Sequence, residues 1–138
     1  MLAERLEQVT ILDRDYVPAS AAPRAGVPQS RHVHVLLARG ANEIERLFPG
    51  FLAETVEQGA QVLDAARDVA WLTPGGWGVR FDSGFELCCA TRDLIEAHVR
   101  RRTLALPNVT LQDGISVAAW SGTSWWMQPA ADRTSRSG

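Results

Sequence analysis

The sequence predicts an α/β fold, and three stretches carry that prediction. "VTILD", Val9 to Asp13, is β-branched and apolar, the pattern of a strand buried on both faces of a parallel sheet. "TRDLIEAHVRRRTLAL" spaces Leu94, Ile95, Val99 and Leu104 as a helical stripe, with Thr91 as its cap and Asp93 in the first turn. Pro107 and Asn108 stop that helix, and "NVTLQDGISVAA" then reads as a strand, a turn at Asp113–Gly114 and another strand.

In chain order, "MLAERLEQ" reads as the last two turns of a helix, with Leu2 and Leu6 four apart on one face. After the first strand, "YVPASAAPRAGVPQS" carries three prolines and small residues, which predicts an extended loop. From about His32 to Leu47 the spacing of Val35, Leu36, Ala38, Ile44 and Leu47 is helical, with a break predicted at Gly40. "FPGFLAETVEQGA" gives a short second helix ending at Gly59. Between Gln61 and Ala90 the period shortens: "AQVLD", "VAWLT", "WGVRF" and "FELCCA" are strand-like, and "PGGWG" reads as a hairpin turn. After Ala119 come Trp120, Trp125 and Trp126 and then a polar ending. The expected division is a domain over 1–119 and a poorly ordered tail over 120–138.

Composition bounds the partners. The 138 residues are one domain's worth, 46% hydrophobic and 22% charged, with a net charge of −2. That balance excludes a dedicated nucleic-acid binder, whose phosphate contacts demand a basic excess. All 14 basic residues are arginine, which rules out a lysine nucleophile, a Schiff base or a Walker-type phosphate lysine. The two cysteines, Cys88 and Cys89, are adjacent and make poor disulfide partners, so a reducing, cytoplasmic setting is expected. No apolar run approaches the roughly 18 residues that cross a bilayer.

Candidate chemistry gathers at element ends. Asp13 closes a buried strand, where dinucleotide-binding sheets place the acid that accepts the adenosine ribose hydroxyls; strands also end in polar residues for solvation alone. Arg14 follows it, placed to lie against an adenine or a phosphate. Arg24, Gln29 and Arg31 lie in the loop before a predicted helix N-terminus, a setting that suits an anion as well as a solvated loop. Arg92 opens the long helix directly after a strand and would face the same sheet edge as Asp13, whereas Arg100, Arg101 and Arg102 complement the helix C-terminal dipole. His32 and His34 would share a face on a strand, but on a helix they diverge by about 200° and cannot chelate one ion. The helical reading of "VHVLLARG" therefore predicts no metal site.

Taken together, "VTILDRD", "PRAGVPQSRHVHVLLARG", "LFPGF", "TRDLIEAHVRRR" and "LPNVTLQDG" resemble FAD-dependent oxidoreductases of the para-hydroxybenzoate hydroxylase-like group, from about Leu2 to Val117. The resemblance implies a Rossmann-like FAD-binding domain with part of a substrate-side β-sheet. It assigns Asp13 to the adenosine ribose, Arg14 to the basic position after it, Arg24 to the FAD pyrophosphate, Gln29 to the ordering of that loop and Arg92 to a place near the cofactor. It implies flavin-mediated oxidation or hydroxylation of a small organic substrate, with NAD(P)H as candidate reductant.

The family opens with a strand and a Gly-x-Gly-x-x-Gly turn that holds the pyrophosphate at a helix N-terminus. On this resemblance the sequence starts inside that first helix, so the domain is expected to be incomplete, lacking its first strand and glycines. It also stops before the family's second, Asp-Gly flavin motif. "AADRTSRSG" is faintly similar to a Gly-Arg-x-Ser segment of the family, with Asp132 where glycine is expected, and an out-of-frame tail is one explanation. An exposed "VTILD" edge would invite self-association and marginal stability. Two readings result: a flavoenzyme fragment that is inactive alone, or a non-enzymatic remnant or interaction module that binds no flavin.

Overall fold

A computed structural model describes residues 1–120 and 125–129 and is mixed α/β, with small sheets and three α-helices among the described residues. Strand β1, Val9–Leu12, pairs in parallel with β7, Val109–Gln112, in the register Val9↔Val109 to Leu12↔Gln112. β2, Val33–Leu37, runs directly into helix α1, Ala38–Leu47, and α2 spans Phe51–Glu57. β3, Gln61–Asp64, and β6, Glu86–Thr91, complete an antiparallel sheet of order β2-β6-β3. Between them, the two-residue strands β4, Leu72–Thr73, and β5, Gly76–Trp77, form a hairpin at the predicted turn. Helix α3, Arg92–Leu104, follows β6 without a gap, and β8, Ile115–Trp120, pairs antiparallel with β9, Trp125–Pro129.

The long helix forms for the reasons its sequence contains. Thr91 Oγ1 accepts the Leu94 N–H at 3.2 Å, filling one of the orphan donors of the first turn, and Arg101 and Arg102 sit in the last turn. Its buried anchor is polar. His98, 1% exposed, meets the fully buried Phe51 edge-on, with ring centroids 5.8 Å apart, and its Nδ1 lies 3.5 Å from buried Thr55 Oγ1. Thr55 Oγ1 itself donates to the Phe51 carbonyl at 2.7 Å. The α2–α3 seam is thus a small core of an aromatic ring, an imidazole and a hydroxyl.

A second polar knot ties down the segment between β3 and β6. Buried Asp64 accepts from the N–H groups of Ala66, Arg67, Ser83 and Gly84 and from the Ser83 hydroxyl, at 2.8 to 3.0 Å. Those hydrogen bonds, the Arg67 N–H first, hold its carboxyl well below the usual carboxylate range despite the cost of burial.

Several expectations are corrected. "MLAERLEQ" forms one 3-10 turn, Leu2–Glu4, because Leu2 and Leu6 are 66% and 50% exposed and find no apolar surface to support a longer helix. "VHVLL" is strand, and the helix begins only at Ala38, with Gly40 inside it and no break there. "VAWLT" contributes two ladder residues, Leu72 and Thr73, and "WGVRF" only one, Trp77. Trp120 and Trp125–Pro129, placed in the expected tail, are paired strand; 121–124 and 130–138, Asp132 among them, lie outside the described residues. Among the described residues no helix is long and apolar enough to cross a membrane.

Candidate functional site

Asp13 leaves β1 with its main chain fixed on both sides. Its N–H donates to the Gln112 carbonyl at 3.0 Å and its carbonyl accepts from Ile115 at 2.9 Å, so the end of β1 is held by the turn after β7. Its Oδ1 accepts the Asp15 N–H at 3.0 Å, an Asx turn that bends the chain sharply after the strand. Asp13 Oδ2 points the other way and accepts Arg24 Nη1 at 2.7 Å.

Arg24 is the hub of the site. Nη1 also lies 3.4 Å from Asp15 Oδ2, and Nε donates to Glu96 Oε1 at 2.7 Å. The side chains involved are 14% to 25% exposed, so these ion pairs are only partly screened by water. Burial works against the Arg24 cation, and the hydrogen bond and charge of Glu96, with those of Asp13, outweigh it and raise its pKa. Asp15 Oδ2 takes the Gly26 N–H at 2.7 Å, and a Cβ on Gly26 would collide with that carboxylate. Glycine is therefore required where the loop returns past Asp15.

Helix α3 supplies the opposite wall. Glu96 Oε1 is shared with Arg100 Nη1 at 3.4 Å, and Arg100 Nη2 donates to the carbonyls of Pro18 and Ser20 at 2.6 and 3.3 Å. Arg92 lies one turn before Glu96 on the same face, and its buried Nε has no hydrogen-bond partner among the described residues. Asp13, Arg24, Arg92, Glu96 and Arg100 line one cleft of about 300 Å³, with Ile11, Val27 and Leu111 among its apolar walls.

Three of the five predicted cofactor residues, Asp13, Arg24 and Arg92, are thus brought together from positions up to 79 residues apart. Arg14 is exposed and is not among the residues lining the cleft, and the exposed Gln29, in a 3-10 turn over Pro28–Arg31, is outside it as well. Sequence reasoning missed Asp15, Glu96 and Arg100. The last two carried a signal, because residues 92, 96 and 100 fall on one helical face.

His34 lies in β2, not on a helix, and its Nδ1 is 2.7 Å from the His32 carbonyl, which requires Nδ1 to carry the proton. Both rings line a second cleft of about 430 Å³ beside Cys89 and Thr91. Among the described residues no group of three or more His, Cys, Asp or Glu is placed to hold a metal ion. Both cysteines are free thiols, and burial pushes Cys88 up, with a smaller push from Cys89.

The fold and the cleft define a mixed α/β chain with a half-buried carboxylate–guanidinium site between a strand end, a loop and a helix. No family model matches the chain. Over 115 residues it is 37% identical to Protein Rv3254 of Mycobacterium tuberculosis (strain ATCC 25618 / H37Rv), an alignment covering 80% of this chain and 24% of that relative. The chain spans about a quarter of the length of the curated relative it matches, whose name states no activity.

Proposed function

We propose that the cleft is the adenosine-diphosphate side of an FAD site, and that the chain is part of a Rossmann-like flavin-dependent oxidoreductase of the hydroxylase type. The observation that carries this reading is the convergence of Asp13, Arg24 and Arg92 on one cleft, with the Arg92 Nε buried and without an acceptor. A buried guanidinium N–H without a partner is costly, and a phosphate oxygen is the acceptor that suits it.

The donor set fits the group. Asp13 accepts one hydrogen bond on each oxygen, which leaves acceptor capacity for a ribose diol. Arg24 and Arg92 supply cationic donors for the pyrophosphate, and apolar Ile11, Val27 and Leu111 flank them. Bound FAD would supply the hydride or oxygen chemistry, while these side chains bind and orient it. The cleft lies at the low end of ligand-pocket volumes, about 300 Å³, so it accommodates part of a dinucleotide rather than all of one.

A second reading, an interaction module that binds no flavin, is favoured by one observation: the Asp13–Arg24 ion pair gives both residues a structural role in the absence of ligand. The experiment that separates the two is equilibration of the full chain with FAD, desalting and measurement of retained flavin absorbance. Retained flavin is expected, with affinity about tenfold lower in Asp13→Asn. Colourless protein with no thermal shift on adding FAD would overturn the flavin reading and leave the interaction module.

A further inference from the structure

We infer that Glu96 is the positioning residue of this site: it turns the Arg24 guanidinium so that its Nη2 edge faces the ligand's anionic group. The inference rests on the nucleotide reading above and adds a residue and a role that neither the resemblance nor the relative assigns.

A guanidinium is a planar fork whose edges are set once two of its nitrogens are fixed. Arg24 Nε is fixed on Glu96 Oε1 at 2.7 Å and Nη1 on Asp13 Oδ2 at 2.7 Å. Nη2 makes no hydrogen bond among the described residues and is not a buried orphan atom, so it is the free donor of an arginine that lines the cleft. If a diol takes over Asp13, one of the two anchors weakens. Glu96 keeps the other, and Asp15, 3.4 Å from Nη1, gives that nitrogen a second acceptor to retain.

Glu96 is well placed to stay still while this happens. It sits within α3, and the same Oε1 bonds Arg100, one turn on, whose Nη2 grips the carbonyls of Pro18 and Ser20. A single carboxylate oxygen therefore ties the helix to Arg24 directly and, through Arg100, to the loop that carries it. An apolar residue at position 96 would leave Arg24 held only from the Asp13 side, free to swing about that contact.

The test uses ADP and adenosine as probes on the full chain, by calorimetry, with wild type, Glu96→Leu and Glu96→Gln. Arg24 meets the phosphates and not the nucleoside, so Glu96→Leu should weaken ADP about tenfold and adenosine less than about twofold. Glu96→Gln, which keeps an acceptor for Nε, should recover most of the ADP affinity. It also serves as the measurement if the leucine variant does not fold, because a loss confined to ADP is still expected, at about two- to threefold. A second readout is independent of ligand: the Arg24 Nε–H signal in nitrogen-15 NMR should be protected from exchange in wild type and exposed in Glu96→Leu. Equal losses for ADP and adenosine, unchanged ADP affinity, or an unchanged Nε–H signal would each overturn the positioning role. Wild type that binds neither ADP nor FAD would overturn the nucleotide reading itself, and this inference with it.

Discussion

Replacing Arg24 by methionine tests whether the cleft's ion pairs hold the fold. Methionine keeps an unbranched apolar stem like that of arginine and deletes the three contacts of the guanidinium, to Asp13 and Glu96 at 2.7 Å and to Asp15 at 3.4 Å. Three carboxylates then face one another, and among the described residues only Glu96 keeps an ion-pair partner, Arg100. Breaking a fully buried pair costs about 3–5 kcal/mol, but these side chains are 14% to 25% exposed and water can enter as the partner leaves. The expected loss is therefore about 2 kcal/mol. Unfolding entropy of about 2.1 cal/mol/K per residue over 138 residues converts that to a Tm drop of about 7 °C. The assay is urea and thermal unfolding followed by tryptophan fluorescence and far-UV circular dichroism at low and high salt. Arg24→Lys, which keeps the charge but loses the fork, should recover less than half of the loss. A change below about 0.5 kcal/mol in Arg24→Met would refute the reasoning, since it would mean that the carboxylates are solvated whether or not Arg24 is present.

Two further outcomes are expected. Burial, and then the Arg101 charge, push the His98 pKa below its ordinary 6.5, with Glu54 opposing them, so the neutral ring is the one the fold keeps. Stability should be full above about pH 6.5, where His98 is neutral folded or unfolded, and fall as pH drops from there through the depressed folded value. Urea midpoints of wild type and His98→Leu between pH 7 and 5 would show this, and an equal slope in both proteins would count against it. The second concerns the sheet edge. Val9 and Asp13 donate toward β7, so Thr10 and Leu12 present their N–H groups on the opposite edge of β1, where no strand pairs among the described residues. Light scattering should detect concentration-dependent self-association that Thr10→Pro abolishes; association unchanged in that variant would place the contact elsewhere.

The parts of the fold that could be read from sequence are those where one pattern fills one element. β1, α3, β7 and the Asp113–Gly114 turn each lie within a run of a single period bounded by a cap or a breaker, and the structure has them in place. The failure at "VHVLLARG" has a physical cause. β2 ends at Leu37 and α1 starts at Ala38 with no turn residue between them, so apolar positions from a strand and a helix merge into one apparent helical spacing. Val35 is 43% exposed and Leu37 57%, whereas buried Ala41 is the residue that faces the core, which inverts the weight a hydrophobicity pattern gives them. The tertiary partner β6, pairing Val33 through Leu37 with Thr91 through Leu87, decides the extended conformation.

The site divides in the same way. Asp13 and Arg92 could be chosen because each stands at an element end, and Arg24 because the resemblance places its proline-rich loop over the cofactor's pyrophosphate. Asp15 could not, because its role exists only once the loop folds back toward α3, whereas Glu96 was signalled by the helical face it shares with Arg92 and Arg100. That difference bears on the two functional readings. An arginine held only to stabilise a loop is satisfied by one or two carboxylates, and Arg24 has three within 3.4 Å. Arg92, on the same cleft, has none among the described residues, and its Nε is buried without an acceptor. A purely structural network would be expected to share its acceptors more evenly, because each unpaired buried donor costs more than a second bond to an already satisfied one returns. The surplus at Arg24 and the deficit at Arg92 would both be resolved by the proposed ligand, accepting from Arg92 and drawing Asp13 away from Arg24. A diol joined to an anion has that chemistry, which is why the nucleotide reading accounts for more of the cleft than the interaction module does.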